Sequence, residues 1–251
     1  MTDIELLIDF HVDAERQGPG SDADTLKALS FIDIVQSKSL KIADIGCGSG
    51  AQTMTLAQNL EGKITAVDLF PVFLAKLEKR AMNLGLKDKI TTLEKSMESL
   101  PFGREEYDLI WSEGAIYNIG FESGIKNWKH YLKTGGFIAI SEITWTTITR
   151  PEEIDKHWTK EYPEIGTASG KIKILEENGF SPVAFFFLPP SSWIDNYYSP
   201  MENRFADFLQ KHGNSDMAKM IVKGEKEEIR LYHKYKDYLS YGFYIAKKLP
   251  G

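Results

Sequence analysis

The sequence predicts an α/β domain built on a mostly parallel sheet with helices on both faces. Two observations lead to this prediction. From residue 40 onward, apolar strand-like stretches alternate with helix-compatible ones, and the first strand enters a helix through a turn with glycine at positions 46, 48 and 50. Strands that alternate with helices form parallel sheets covered on both sides. A chain of 251 residues is long enough for one such domain with additions.

The composition narrows the class of protein. Hydrophobic residues make up 42% and charged residues 26% of the chain, which is typical of a folded globular protein. The net charge of −6 lacks the basic footprint of nucleic-acid binding, so we expect no nucleic-acid partner. The single cysteine cannot form an internal disulfide, and no Cys or His spacing predicts a metal site.

Neither a secretion signal nor a membrane span is predicted. The first ten residues are acidic and lack the basic start and long apolar core of a signal peptide. The most apolar run, residues 183–188, is far too short to cross a bilayer. We therefore expect a cytoplasmic protein.

The N-terminal part predicts a helical lid over residues 1–37. Residues 3–14 favour a short amphipathic helix, and the glycine- and proline-containing stretch 16–21 ends it. Ser21 followed by Asp24 resembles a capping box and predicts a second helix that continues to Val35.

The central part, residues 38–145, carries the alternating pattern. Its predicted strands are 40–45, 63–68, 90–95, 107–112 and 137–142, and its predicted helices are 50–60, 71–84 and 121–133.

The alternation of strands and helices becomes less regular in residues 146–251. We expect this part to complete the sheet and to add helical insertions over the substrate. The predicted helices are 150–165, 168–178, 202–212 and 215–238, and the predicted strands are 183–188 and 241–247. Between them, Trp193, Tyr197 and Tyr198 lie in a connection without predicted regular structure. They either cover a substrate or, as we favour, anchor the insertion helices to the core.

The glycine turn predicts a small-molecule site, and two kinds of cofactor are consistent with it. Glycine lets a ligand approach bare backbone, and the helix N-terminus favours anionic or polar groups. Gly46, Gly48 and Ala51 satisfy the loose dinucleotide pattern, which is a weak signal by itself. Asp44, two residues before the first glycine, would repel a pyrophosphate but would suit an ammonium group.

Five segments in order resemble the motifs of class I S-adenosylmethionine-dependent methyltransferases. Asp44–Gly50 resembles motif I of that family, and Val67-Asp68 resembles the end of its second strand. The other three matching segments are Ser96–Phe102, Tyr107–Gly114 and Leu132–Glu142. The ordered match covers roughly residues 38 to 143, and five motifs in register are far more specific than motif I alone.

The resemblance implies a Rossmann-like fold with a seven-strand, mostly parallel sheet whose last strand is antiparallel. It implies S-adenosylmethionine as cofactor and S-adenosylhomocysteine as product. Asp68 is expected to bind the ribose hydroxyls, although in isolation it would be read as a helix N-cap. Ser96 departs from the aspartate that many relatives carry near the adenine. The expected cofactor-binding residues are Arg16, Gly18, Asp44, Gly46, Cys47, Gly48, Gly50, Asp68, Leu69, Ser96, Met97, Ser112 and Glu113.

The methyl acceptor is predicted only as a small molecule, by analogy with the ubiquinone- and menaquinone-type branch of the family. Transfer would be a direct in-line displacement, and the candidate catalytic residues are Glu113, Tyr117 and His11. Each has an alternative reading as a solvated, loop or packing residue. A non-catalytic binding protein on the same fold and a nicotinamide-dependent oxidoreductase remain alternatives. The acceptor itself and the choice between monomer and homodimer are open.

Overall fold

A computed structural model describes residues 2–34 and 39–251, and it confirms the predicted fold class. Seven strands form a sheet in the order β3-β2-β1-β4-β5-β8-β7, and the two-residue strand β6 pairs beside β5. Strands β1 to β5 run parallel, whereas β8 is antiparallel to both of its neighbours. The strands are β1 Lys41–Ile45, β2 Lys63–Asp68, β3 Ile90–Glu94, β4 Tyr107–Glu113, β5 Leu132–Trp145, β6 Gly166–Thr167, β7 Phe180–Phe187 and β8 Leu239–Lys248.

Helices cover both faces of the sheet. In the described ranges they are α1 Asp3–Val12, α2 Asp22–Leu29, α3 Ala51–Asn59, α4 Pro71–Asn83, α5 Phe121–Trp128, α6 Glu152–Glu161, α7 Ala168–Glu177, α8 Pro190–Trp193, α9 Ser199–Glu202, α10 Phe205–Lys211 and α11 Asp216–Tyr235. A π-helical turn, Ile194–Tyr198, joins α8 to α9. None of these helices is both long and apolar enough to cross a bilayer.

The alternation of side chains along the central strands produces two cores. In β4, Leu109 and Trp111 belong to one buried cluster, while Ile110 belongs to the other. Successive residues of a strand point to opposite faces, so a strand that is apolar throughout must be covered on both sides. The first cluster includes Tyr232 from α11, and the second includes Trp128 from α5.

The parallel register brings three chain segments to one edge of the sheet. Asp44 pairs in register with Ala66 of β2 and with Trp111 of β4. The strands therefore end together, and the residues that follow them lie side by side. A ligand site is expected at this carboxyl edge, where the strand order reverses around β1.

The structure differs from the predicted elements in four places. Strand β5 begins at Leu132, so the Gly135-Gly136 stretch lies within a strand rather than at a helix end. Residues 190–202 are helical where a connection was expected, because Trp193 and Tyr198 are fully buried and anchor the segment. Strand β7 starts three residues earlier than predicted. Helix α2 ends at Leu29; Val35 and the domain boundary at 37 lie outside the described residues.

Candidate active site

A cavity of about 570 Å³ opens at the carboxyl edge of β1, β2 and β4. This volume is within the usual range for small-molecule sites. Eleven residues singled out in the sequence line it: Arg16, Gly18, Gly46, Cys47, Gly48, Asp68, Leu69, Ser96, Met97, Glu113 and Tyr117. Four others that were singled out do not line it: His11, Asp44, Gly50 and Ser112.

The glycines of the turn allow other parts of the chain to pack closely against the turn. Gly46 has φ +74°, and a Cβ there would stand 2.3 Å from the Cβ of Ala115. Gly50 has φ +83°, and a Cβ there would stand 2.5 Å from Leu77 of α4. Gly50 therefore packs against the core and does not line the cavity. The expectation of bare backbone facing a ligand therefore holds only for part of the turn.

Asp68 lies at the cavity with a fixed orientation. One carboxylate oxygen accepts from the Gly48 N–H at 2.9 Å, and the other accepts from the Phe70 N–H at 2.9 Å. Burial raises the pKa of Asp68, although these backbone bonds oppose the shift. Helix α4 has Phe70 as its N-cap residue, so Asp68 does not cap it. Each oxygen keeps a lone pair for a further donor.

Asp44 lies below the cavity and acts inside the protein. Its carboxylate is fully buried and accepts from Thr53 at 2.5 Å and from the Gln52 amide at 3.3 Å. Burial raises its pKa to about 7. Asp44 does not line the cavity, so its contact with a ligand ammonium group stays a prediction from the sequence. Gln52 lines the cavity and also donates to the carbonyl of Cys47.

The cavity is lined by the three residues that the resemblance assigns to the adenine, namely Leu69, Ser96 and Met97. Leu69 is more than half exposed at the cavity edge. The carbonyl of Met97 accepts from the Trp128 indole at 3.2 Å, which fixes the loop after β3. The Ser96 hydroxyl accepts from the Glu98 N–H at 3.3 Å. These residues form an apolar wall with polar backbone groups.

Glu113 is held by three elements. Its Oε1 accepts from Thr25 of α2 at 2.7 Å and from the Trp111 indole of β4 at 2.9 Å. Its Oε2 accepts from the Arg16 guanidinium at 3.2 Å. Burial raises the pKa of Glu113, and the charge of Arg16 opposes that shift. The result is an oriented carboxylate facing the cavity.

Arg16 joins the N-terminal segment to the core. Its side chain is only 10% exposed, and it pairs with Glu113 and, at 2.8 Å, with Asp22. Ser112, the neighbour of Glu113, is fully buried, and its hydroxyl has no hydrogen-bond partner among the described residues.

Gln17 is a cavity residue that the sequence reasoning missed. Its carbonyl oxygen accepts from the Ser49 N–H of the glycine turn at 2.8 Å. Its amide nitrogen donates to the carbonyls of His11 and Ala14 at 3.3 and 3.4 Å. Gln17 thus ties α1 and the following segment across the turn. Its position beside the Gly18-Pro19-Gly20 break was the available signal.

The two remaining catalytic candidates have different surroundings. Tyr117 lines the cavity with 42% of its surface exposed, and desolvation within the cavity wall, followed by the charge of Glu228, raises its pKa. His11 lies outside the cavity, with Nε2 3.7 Å from Glu225 and its ring edge-on to Phe10. The structure therefore does not bring His11 to the reacting region, since its ring faces α11. Its backbone carbonyl supports Gln17 instead.

Cys47 lines the cavity as a thiol. Burial and the nearby charge of Asp44 raise its pKa well above the ordinary value. A raised pKa removes thiolate character, so the side chain serves as a small apolar wall. The described residues hold no group of three or more His, Cys, Asp or Glu side chains placed to bind a metal ion.

Comparisons with known proteins define the class. Residues 42–136 match the family model described as a methyltransferase domain. The chain is 33% identical over 97 residues to the uncharacterised methyltransferase YodH of Bacillus subtilis, covering 39% of this chain and 40% of that protein. It is 28% identical over 97 residues to the sarcosine/dimethylglycine N-methyltransferase of Aphanothece halophytica, covering 38% and 35%. The chain thus matches about two fifths of the length of these relatives.

The fold is shared over nearly the whole chain. The structure is similar to that of an S-adenosylmethionine-dependent methyltransferase from Geobacter sulfurreducens in complex with S-adenosylhomocysteine. The TM-score is 0.84 at 18% identity, with 96% of this chain and 97% of that chain covered. The fold is thus that of class I methyltransferases, and residues 42–136 carry a methyltransferase domain, which confirms the family predicted from the five motifs.

Proposed function

We propose that the protein transfers a methyl group from S-adenosylmethionine to a small-molecule acceptor. The observation that carries this proposal is Asp68, a carboxylate held by two backbone N–H groups at the edge of the cavity. It lies directly beside the glycine turn and the wall formed by Leu69 and Met97. A carboxylate so placed accepts from the vicinal hydroxyls of a ribose in charge-assisted hydrogen bonds.

The residues of the cavity fit this cofactor by chemistry. Asp68 would hold the ribose, the Leu69, Ser96 and Met97 wall would hold the adenine, and Glu113 would face the amino-acid end. Gln17 and Arg16 would close the turn from above. When bound, S-adenosylmethionine supplies an electrophilic methyl group on a positively charged sulfur. The chain's own contribution is to orient the reactants and to exclude water.

A small acceptor is supported by the size of the cavity and by the net charge of −6. The sarcosine/dimethylglycine enzyme among the relatives is named for small amines, whose acceptor class is consistent with a cavity of this size. Arginine and lysine side chains at the cavity are few, namely Arg16 and Lys95, and Arg16 is paired internally. The cytoplasmic location and the monomer or homodimer state stay predictions from the sequence.

Calorimetry with S-adenosylmethionine and S-adenosylhomocysteine tests the proposal. Asp68→Asn keeps the shape of the side chain but removes its charge, and we expect a 10- to 100-fold loss of affinity, equal to about 1.5–3 kcal/mol. Glu94→Gln is the matched control, since Glu94 pairs with Asp68 across β2 and β3 but is exposed. Equal affinity in wild type and Asp68→Asn would refute the site assignment.

A further inference from the structure

A group of phenolic side chains surrounds one carboxylate next to the cavity. We call it the Glu228 cluster, and it consists of Glu228 with Tyr117, Tyr197, Tyr198 and Tyr241. The Tyr198 hydroxyl donates to Glu228 at 2.9 Å. The Tyr197 ring lies 5.3 Å from that of Tyr198. Desolvation, followed by the charge of Glu228, raises the pKa values of Tyr117 and Tyr197.

The cluster is continuous with the cavity. Tyr117 belongs to both. The Tyr241 ring lies 2.8 Å from the position of a Cβ on Gly114, and its hydroxyl lies 4.0 Å from that of a Cβ on Gly18. Both glycines line the cavity. Tyr241 is therefore separated from the cavity only by backbone that carries no side chain.

The charge of Glu228 is not compensated within the described part of the chain. No Lys, Arg or His nitrogen there forms an ion pair with it, whereas its helix neighbour Glu225 has His11 at 3.7 Å. Burial, and then the like charge of Glu225, raises the pKa of Glu228 to about 7. A half-buried carboxylate without a cation is costly, so a cation brought by a ligand would be favoured there.

We propose that the Glu228 cluster is the acceptor subsite and that the acceptor carries a positively charged nitrogen. The inference rests on the proposed methyltransferase function. The carboxylate pairs with the positive charge, and tyrosine rings bind alkylammonium groups through their electron-rich faces. A neutral ligand would leave the charge of Glu228 uncompensated, and an anion would be repelled by it.

Three probes of similar size test this charge preference: tetramethylammonium chloride, tert-butanol and sodium pivalate. Each is titrated calorimetrically into the protein with and without saturating S-adenosylhomocysteine. We expect tetramethylammonium to bind at least tenfold more tightly than the neutral and anionic probes. Equal binding of all three would overturn the proposal. Binding of S-adenosylhomocysteine, measured in the same samples, reports separately on the proposed function.

The variant Glu228→Gln should lose the preference for tetramethylammonium at least tenfold while its affinity for S-adenosylhomocysteine is unchanged. Glu227→Gln, the exposed neighbour paired with Arg230, is the matched control and should keep the preference. A Glu228→Gln protein that still prefers the cation would contradict the assignment.

A pH series on the wild type avoids any folding defect of the variant. Affinity for tetramethylammonium should rise severalfold from pH 6 to pH 8 as Glu228 loses its proton, and a flat profile would contradict the proposal. The titratable and charged groups facing Glu228 or its neighbour Glu225 are Glu225, Glu161, His11, Arg204 and the hydroxyls of Tyr117, Tyr197, Tyr198 and Tyr241.

Discussion

At the scale of single residues, Asp44 shows how a buried carboxylate shapes a site that it does not touch. Its oxygens bind Thr53 and Gln52, and Gln52 in turn reaches the carbonyl of Cys47 in the turn. The folded pKa of about 7 exceeds the ordinary 3.8, so the folded state retains a proton that the unfolded chain releases. The stabilising effect of that proton is complete below about pH 4 and is lost as the pH rises through 7.

We therefore expect Asp44→Asn to reduce the fall in thermal stability between pH 5 and pH 8. Only the part of the pKa shift between pH 5 and the folded value of about 7 is sampled, which corresponds to about 3 kcal/mol as an upper bound for the change. Differential scanning calorimetry at pH 5, 6, 7 and 8 measures it. Glu94→Gln, an exposed carboxylate, should keep the wild-type slope. An unchanged slope in Asp44→Asn would show that Asp44 is already ionised in the folded state.

The sequence could predict residues whose role follows from position along one motif, such as Asp68 and Met97. It could not predict which side of the turn each side chain occupies. For Asp44, the pattern does not show that Gln52 and Thr53, which follow it in the first turn of α3, bind its oxygens. Gln17 was missed because its partner Ser49 is 32 positions away and no local pattern joins them.

At the scale of elements, the turn between β1 and α3 is fixed by what surrounds it. At Gly46 an alanine would meet both an unfavourable φ of +74° and the Cβ of Ala115 at 2.3 Å. Gly85 has a similar φ of +68°, but nothing lies within 4 Å of its added Cβ. The two positions therefore separate backbone strain from crowding.

Gly85→Ala should cost about 1–2 kcal/mol of stability from backbone strain alone. Gly46→Ala should cost roughly 1–3 kcal/mol more, since the crowded Ala115 loop must move. It should also weaken binding of S-adenosylmethionine, because Ala115 and Met97 line the cavity, while Gly85→Ala leaves that affinity unchanged. Urea denaturation and calorimetry measure the two effects. Equal losses of stability in both variants would mean that the Ala115 loop moves aside without a cost in stability.

The segment between α1 and α2 is held over the turn by Gln17 and Arg16 and by the Glu15 carbonyl, which accepts from the Ser49 hydroxyl. Gln17→Ala removes three hydrogen bonds, so we expect faster proteolysis within residues 11–21 and severalfold weaker cofactor binding. Limited trypsin digestion with and without S-adenosylhomocysteine measures both. Gln210→Ala, at an exposed position of α10, is the control. Protection by S-adenosylhomocysteine should be reduced in Gln17→Ala. Unchanged protection would contradict the role of Gln17 in holding this segment over the turn.

At the scale of the whole molecule, alternation of strands and helices was sufficient to predict the sheet, and the comparisons confirm the superfamily. The structure of the helical part between β7 and β8 was harder to predict from the sequence, because its aromatic residues pack against partners far away in sequence. Trp193 stacks on Tyr232 at 4.6 Å, and neither local period nor turn residues indicate that contact. The preference for anchoring over substrate contact was confirmed for Trp193, which is buried.

The cavity is bounded by the N-terminal segment, the glycine turn and the loops after β2, β3 and β4, so a bound cofactor would connect all of them. A ligand that binds only the folded state at 100 times its dissociation constant stabilises it by about 2.7 kcal/mol. For a chain of this size we expect S-adenosylhomocysteine to raise the Tm by roughly 5–10 °C. NADH at the same concentration should leave the Tm unchanged, because its negatively charged pyrophosphate would be repelled by the Glu113 carboxylate that faces the cavity. A Tm raised by NADH but not by S-adenosylhomocysteine would replace the methyltransferase proposal with the nicotinamide alternative.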